Sequence, residues 1–582
     1  MPQPGLISWK RPIPYTARLP TVWDLMAFGL VFGGVVAIWI VFRQIGQPIA
    51  TVEHVDQSLD PRLLPFYALR TTLRMLAALV ASFVFSVIYA SVAAKSRRAE
   101  IVMIPILDVL QSIPILGYIS FTVTFFILLF PGTVLGPELA CVFAIFTGQA
   151  WNMTFSLYQS LRTIPADLDE VSKAFHFNAW QRFLRLELPF AMPGLIWNMM
   201  MSMSGGWFFI VAAESVKVGD TQFALPGIGS YLAAAIDQRN LGAVGWTILT
   251  MSIVILLYDQ LMFRPLVAWA DKFRFDTAAG AATAAESWLL TRLKQARWTM
   301  SLRRMFARLL SQTLKIHLNL PIAAISPQLS GNRVSRVIDV VWYVLIGAVA
   351  LYGGLLVEHE LASKLDWSDV GHAALLGFYT LLRVATLIAL ATVIWVPIGV
   401  YIGLKPRLAE FMQPVAQFMA AFPANLTFPI AVIGVLHFHL NPDIWLSPLI
   451  ILGTQWYILF NVIAGTTAFP SDLRETATSF HIKGRLWWVK VMLPGIMPYY
   501  ITGALTATGG AWNASIVSEA VSWGDRHVTA HGLGAYIAQM TDAADYPRII
   551  LGIGVMSLYV VMFNRALWRP LYRLSERRFK LA

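Results

Sequence analysis

Long apolar runs separated by short clusters of charge dominate the chain from residue 22 onward. A helix needs about 20 predominantly apolar residues to cross the hydrocarbon core of a bilayer. Runs of that kind lie at roughly 22–42, 66–94, 101–130, 138–160, 194–215 and 243–266. Six more lie at roughly 338–357, 373–404, 411–437, 443–466, 498–518 and 548–568. The pattern predicts an all-α, multi-pass membrane protein with about 12 transmembrane helices. The first run follows a basic, proline-containing head and lacks small-residue cleavage chemistry at its end. It reads as a span, not a cleavable signal.

The charges between the runs set an orientation, because short cytoplasmic loops concentrate Lys and Arg. Lys10, Arg11 and Arg18 share one side with Lys95, Arg97 and Arg98, and with Lys173, Arg182 and Arg185. The other side carries Glu53, Asp56, Asp60, Asp220 and Asp237. The second six runs repeat the bias, with Lys405, Arg407, Lys483, Arg485 and Lys490 inside and Glu358, Glu360, Asp366 and Asp369 outside. Both termini are expected to be cytoplasmic.

Composition agrees: 57% of residues are hydrophobic and 13% charged, against roughly 45–50% and 25% in soluble chains. This excludes an ordinary soluble enzyme, a disordered chain and a disulfide scaffold. The single cysteine, Cys141, has no internal partner for a disulfide. The net charge of +12 comes largely from residues 267–337, where eleven Lys/Arg face three acids. Between Trp288 and Leu318 arginines interleave with Leu, Trp, Met and Phe. That stretch is expected to form a basic amphipathic helix on the lipid surface; a solvated linker is the plainer alternative. Nothing in it resembles a nucleic-acid-binding module.

The two sets of spans are copies of each other. Aligned without gaps at an offset of 305, residues 165–231 share 20 identities in 67 positions with their counterparts. Upstream the offset is 309, pairing Arg74 with Arg383, Pro105 with Pro414 and Pro114 with Pro423. An even number of spans per copy makes the repeats parallel, about an axis along the membrane normal. Two such bundles leave a central seam, and a transporter is the expected function. The boundaries read as 1–65 (head, first span, outer loop), 66–275 (first core domain), 276–337 (basic linker), 338–372 (extra span and outer loop) and 373–582 (second core domain).

Between the fourth and fifth spans each copy has a long cytoplasmic loop. The first runs from Glu170 through Phe175 and His176 to Leu188-Pro189, the second from Glu475 through Phe480 and His481 to Leu493-Pro494. Each is expected to be a short helix, a turn near the His, and a second helix stopped by Leu-Pro. A short amphipathic helix projecting into the cytosol suits docking into the groove of a partner; packing on its own spans is the plainer alternative.

These loops resemble the Glu-Ala-Ala coupling loop of ABC importer permeases. Glu170 and Glu475 stand at the family Glu, Ala477 at one Ala, and Pro189 and Pro494 at the closing Leu-Pro, whereas His176 and His481 replace the family Gly. A second pattern, Glu214 followed by Gly227-Ile-Gly-Ser-Tyr231, recurs as Glu519 and Gly532-Leu-Gly-Ala-Tyr536. It is similar to permeases of the nitrate, sulfonate, taurine and bicarbonate group, as are Leu73-Arg74 and Leu382-Arg383. The resemblance implies a type I ABC importer permease fold in the bacterial inner membrane, with two fused permease domains as pseudo-symmetric halves. It also implies two separate ATPase subunits seated on the loops, with ATP and Mg bound there and no cofactor here, and an extracytoplasmic binding protein delivering a small anion. No Gly-x-x-x-x-Gly-Lys-Ser/Thr run occurs in the chain. An ion-gradient-driven transporter with parallel repeats is the alternative, and it would need titratable groups at mid-membrane, of which the spans offer few.

Within the spans, Arg74 and Arg383 read as cations that attract an anion or as partners of nearby carboxylates. Glu214 and Glu519 read as gate contacts or as structural ion-pair members. Ser204, Trp207, Trp512 and Asn513, with Asn152 behind them, are path candidates, against plain helix packing by small residues. Pro105, Pro114, Pro414 and Pro423 interrupt the third spans, which means a kink or a cavity-lining break. No residue group has metal-ligand or nucleophile–base spacing, so no catalytic site is expected.

Overall fold

The computed structural model describes residues 48, 58–218, 221–273, 287–295 and 364–578, with scattered positions between 304 and 355. The expected span at 22–42, the basic head, and most of 276–337 and 338–357 lie outside the described residues.

Two series of elements follow in the same order. The first opens with α1 (Leu64–Lys95), α2 (Arg97–Ser112), a 3-10 turn (Ile115–Tyr118) and α3 (Ile119–Leu129). It continues with α4 (Leu135–Arg162), α5 (Ala166–Ala174) and α6 (Ala179–Ala213). The strands β1 (Ser215–Val218) and β2 (Thr221–Ala224) then precede α7 (Ile228–Asp237) and α8 (Leu241–Ala270). A short helix, α9 (Trp288–Gln295), lies in the linker against the end of α8. The second series is α10 (Trp367–Gly403), α11 (Pro406–Ala421), a 3-10 turn (Ala424–Thr427), α12 (Phe428–His437), α13 (Pro442–Leu452), α14 (Gln455–Thr467) and α15 (Ser471–Ser479). It ends with α16 (484–518), β3 (Ala520–Trp523), β4 (Arg526–Thr529), α17 (Leu533–Asp542) and α18 (Tyr546–Ser575).

By length and composition five of these helices can cross a membrane, and eight crossings result if each bent pair counts as one. The expected twelve are not reached among the described residues. The all-α expectation is also corrected, because each copy carries a small antiparallel hairpin, pairing Ser215 with Ala224 and Ala520 with Thr529. After Glu214 and Glu519 the chain turns β-branched and aromatic, then meets a Gly-Asp pair. Gly524, in the second of these turns, has φ +59°.

The third span of each copy is a true break. α2 meets α3 at 86°, and α11 meets α12 at 77°. Proline disfavours helical backbone in the residue before it, and Ile113 and Phe422, just before Pro114 and Pro423, are extended. Pro105 and Pro414 lie inside unbroken helices.

The core is continuous through both copies. In the first it is built where α1, α4 and α6 meet, around Met75, Ala78, Ile145, Leu195 and Met203. In the second, α10, α14 and α16 bury Ala391, Ile458, Val462, Ala504 and Ala507. Between apolar helices in lipid the drive is close packing, which small residues permit. Val80, Val84, Ile88, Leu249 and Ile253 face outward, where hydrocarbon covers them.

The helix after each loop does not stop at Leu-Pro, as the sequence suggested. It passes through Pro189 and Pro494 into the fifth span. A proline ring clashes with the carbonyl four residues back and offers no N–H. The wider π turns over Phe183–Glu187 and Trp488–Met492 absorb both defects. There the N–H groups of Leu188 and Leu493 bond Phe183 and Trp488, five residues back.

Candidate functional site

At the end of the first copy away from its long loop, Arg74 Nη1 lies 2.7 Å from Glu214 Oε1 and its Nε lies 2.6 Å from Glu138 Oε2. Arg70 adds a second guanidinium at 2.7 Å from Glu138. All four side chains are buried. Thr71 donates its hydroxyl to Glu214 at 2.7 Å and accepts the N–H of Ile228 at 3.0 Å. Glu214 Oε2 accepts the N–H of Gly229 at 2.7 Å. The carboxylate thus caps the start of α7 and ties it to α1 and α4, a charge-assisted arrangement well suited to a buried anion.

The second copy repeats this. Arg383 lies 3.1 Å from Glu519 and 2.8 Å from Asp443. Thr380 bonds Glu519 at 2.9 Å and receives the N–H of Leu533, and Gly534 donates to Glu519 at 2.8 Å. Both path-candidate arginines are therefore engaged by carboxylates, as are Glu214 and Glu519 by arginines. The copies differ in detail. Arg70 has Tyr379 as its counterpart, and Asp443 is bonded instead by His531, through its N–H at 2.7 Å and its ring at 2.9 Å. The side chain of Asp443 is 35% exposed, that of Glu138 only 7%.

Thr71, Thr380, Glu138, Asp443 and Arg70 were not singled out from sequence. The repeat held the signal: Thr-x-x-Arg recurs at the 309 offset, and Glu138 falls on Asp443 at 305. That second pair also places the four-residue slip between α3 and α4.

At the seam, the break of each third span meets the fifth span of the other copy. Asn513 of α16 accepts the N–H of Ile115 at 2.7 Å. Asn425, in the second 3-10 turn, donates to the carbonyl of Phe208 in α6 at 3.3 Å. Phe208 and Asn513 occupy equivalent positions, but the contacts differ in kind: the first satisfies an N–H at the break, and the second ties the other break to a carbonyl inside α6. Asn152 accepts from Gln111 at 3.3 Å. Trp207 and Trp512 are both buried, and Trp207 stands edge-on to Tyr258, 5.6 Å between ring centres. A cavity of about 650 Å³ opens between the copies, lined by Ser204, Trp207, Tyr258 and Asp259 from one and Gln413 and Gln417 from the other. Gln417 reaches across it to Met200 Sδ at 2.9 Å and Asp259 at 3.4 Å. Trp512 does not line this cavity.

In the loops, Phe175 and Phe480 are 71% and 75% exposed, and Glu170 and Glu475 are exposed beside them. His176 and His481 have φ of +50° and +54°. The left-handed geometry that glycine would adopt freely is kept by histidine in both loops. Each helix end is closed by the same pair of bonds, His176 N–H to Lys173 and Phe177 N–H to Ser172 in one, His481 to Thr478 and Ile482 to Ala477 in the other. Pro189 and Pro494 sit just past the π turns, within the helix that links loop to span. Among the described residues no group of His, Cys, Asp or Glu is arranged to hold a metal ion.

Residues 82–264 and 395–580 each match the family of binding-protein-dependent transport system inner membrane components. Over 197 residues the chain is 28% identical to the bicarbonate transport system permease protein CmpB of Synechococcus elongatus, which covers 33% of this chain and 68% of that protein. It is 24% identical over 185 residues to the nitrate import permease protein NrtB of Leptolyngbya laminosa, covering 32% and 63%. A probable ABC transporter permease protein of Brucella abortus is 24% identical over 242 residues, covering 40% and 91%.

Proposed function

Because the chain belongs to the family of binding-protein-dependent transport system inner membrane components, we propose that it supplies both halves of the passage of an ATP-driven importer for a small anion. ATPase subunits seat on the two loops, one on each, and carry ATP and Mg. A binding protein delivers the solute on the opposite face. The loops, and both termini, lie in the cytoplasm, in keeping with the basic residues around them.

The observation that carries this reading is the continuity of α6. It runs unbroken from beside the loop at Ala179 to Ala213, next to Glu214. Its 35 residues make a rod about 52 Å long at roughly 1.5 Å rise per residue. A push on Phe175 and the α5 turn is transmitted along it, past the seam contact at Phe208, to the outer ion cluster. α16 does the same from Gly484 to Ser518. Two rods moved together by closing ATPases can open the seam to one face and seal it at the other.

The anion reading draws on the bicarbonate and nitrate permeases among the relatives. Within the chain it draws on α3 and α12, whose N-terminal ends begin at the mid-span breaks. Positive helix ends at such depth favour anions, and they take the place of the arginines, which are neutralised.

Uptake into proteoliposomes holding this chain, its ATPases and its binding protein tests the proposal. Nitrate, bicarbonate and small sulfonates are offered, with ATP on the loop side. ATP-dependent uptake of one of them is the expected result. Uptake that ignores ATP and follows a proton or sodium gradient overturns it.

A further inference from the structure

The two loops share a shape but not a surface. Each offers an exposed phenylalanine at the end of its first helix, Phe175 or Phe480, followed by a left-handed histidine. Around that common plug the charge is kept at only three positions, Asp167/Asp472, Glu170/Glu475 and Arg185/Lys490. Asp169, Lys173, Arg182 and Glu187 of the first loop have Arg474, Thr478, Trp487 and Met492 as counterparts.

In the first loop those four residues form a chain of ion pairs. Lys173 and Arg182 each lie 2.7 Å from Asp169, and Arg182 lies 3.1 Å from Glu187. Lys95, at the end of α1, continues it at 2.7 Å from Glu187. The loop is stapled to the second span, and its outward charge is balanced: Asp167 and Glu170 against Lys173 and Arg185. The second loop cannot build the staple, since Leu404 stands at the position of Lys95 and the other members are lost. Its exposed charges are Asp472 and Glu475 against Arg474, Lys483, Arg485 and Lys490. It also exposes Leu486 and Val489 at 54% and 50%, where the first loop has half-buried Gln181 and Leu184.

A groove that complements a balanced, stapled loop does not complement a basic one with extra apolar surface, because like charges and unmatched apolar area discriminate between partners. Resting on the docking reading above, we infer that the two loops seat two different ATPase polypeptides. They share a pocket for the phenylalanine. The one on residues 470–494 lines its groove with acidic residues, and the one on 165–189 does not.

The test uses the whole complex from its native membrane. Photo-reactive benzoyl-phenylalanine replaces Phe175 in one variant and Phe480 in another, and the cross-linked ATP-binding polypeptide is identified by peptide mass. Native mass spectrometry of the unmodified complex gives the same answer without substitution. The expected result is one chain with two ATP-binding polypeptides of different mass, each cross-linked at a single loop. The polypeptide on residues 470–494 should also dissociate first as salt is raised. A variant with residues 470–492 copied over 165–187 should lose one polypeptide completely and carry the other twice. One polypeptide cross-linked at both loops, or present twice in the unmodified complex, overturns the inference while leaving the docking reading intact. No ATP-binding polypeptide at either loop overturns the docking reading, and this inference with it.

Discussion

The carboxylate of Glu214 occupies the space that a side chain on residue 227 would need. A Cβ placed on Gly227 overlaps all three of its carboxyl atoms, and the same holds for Glu519 and Gly532. The spacing of the Glu…Gly-x-Gly-x-Tyr pattern follows from this. The first glycine lets the carboxylate reach the start of α7, and the second, Gly229, lets α7 lie against the carbonyl of Val211.

Gly227→Ala and Gly532→Ala are therefore expected to destabilise the chain by about 1–3 kcal/mol each, the usual range for forced overpacking. Gly245→Ala, where an added Cβ meets nothing within 4 Å, should be neutral or slightly stabilising in its helix. Thermal unfolding of the detergent-purified chain distinguishes the two. Equal melting for Gly227→Ala and Gly245→Ala would show that the carboxylate yields without cost.

Removing the arginines should reveal how differently the two ion clusters are sealed. Arg74→Ala leaves Glu138 and Glu214 buried without their shared cation, a loss of about 3–5 kcal/mol in comparable buried pairs. Arg383→Ala is expected to cost less, because Arg383 and Asp443 are partly exposed, whereas Arg74, Glu138 and Glu214 are buried, although Glu138 keeps Arg70 as Asp443 keeps His531. Folded yield by fluorescence-detected size exclusion should fall more steeply for Arg74→Ala. If both variants stay folded and lose only anion uptake, the arginines serve the path and the structural assignment fails.

Much of this architecture was open to reading from the residues, and what escaped did so for physical reasons. The duplication, the loops and the outer Glu–Gly pattern rest on local spacing and on identity between copies. The ion clusters join helices 60 or more positions apart, such as Arg74 and Glu138. The repeat of that contact is hidden from a count of identities because Asp443 replaces Glu138 and because the offset changes from 309 to 305 between the two partners. The hairpins have four-residue strands, too short for alternation to register. The π turns leave no pattern beyond the proline they accommodate, so Leu-Pro was read as an end where it marks a widened turn.

Histidine at the left-handed loop position leads to a specific expectation. A side chain in that conformation costs roughly 1–2 kcal/mol, so His176→Gly relieves strain while adding unfolded-state freedom of similar size. Stability and coupled ATP hydrolysis should both stay within about twofold of the unmodified protein. His176→Val, β-branched and poorly tolerated at positive φ, should lose coupled hydrolysis while basal hydrolysis by the ATPase persists. Failure of His176→Gly with a folded loop would instead assign the imidazole itself a role.

The staple of the first loop should be indifferent to pH over the physiological range. The hydrogen bond from Lys173 and the charge of Arg182 hold the Asp169 carboxyl below its ordinary value of 3.8, outweighing partial burial. A carboxyl depressed in the folded state contributes stability above its unfolded pKa and loses it as pH falls through the folded one. The Asp169 contribution is thus complete from pH 8 to pH 5 and fades only in acid below about pH 4. Hydrogen–deuterium exchange over 166–187, corrected for intrinsic rates, should show constant protection across pH 5–8. Asp169→Asn should reduce that protection throughout, whereas Arg474→Asn at the equivalent place in the second loop should change nothing locally. Protection that falls between pH 7 and pH 5 in the unmodified chain would mean that another group, not Asp169, holds the loop in place.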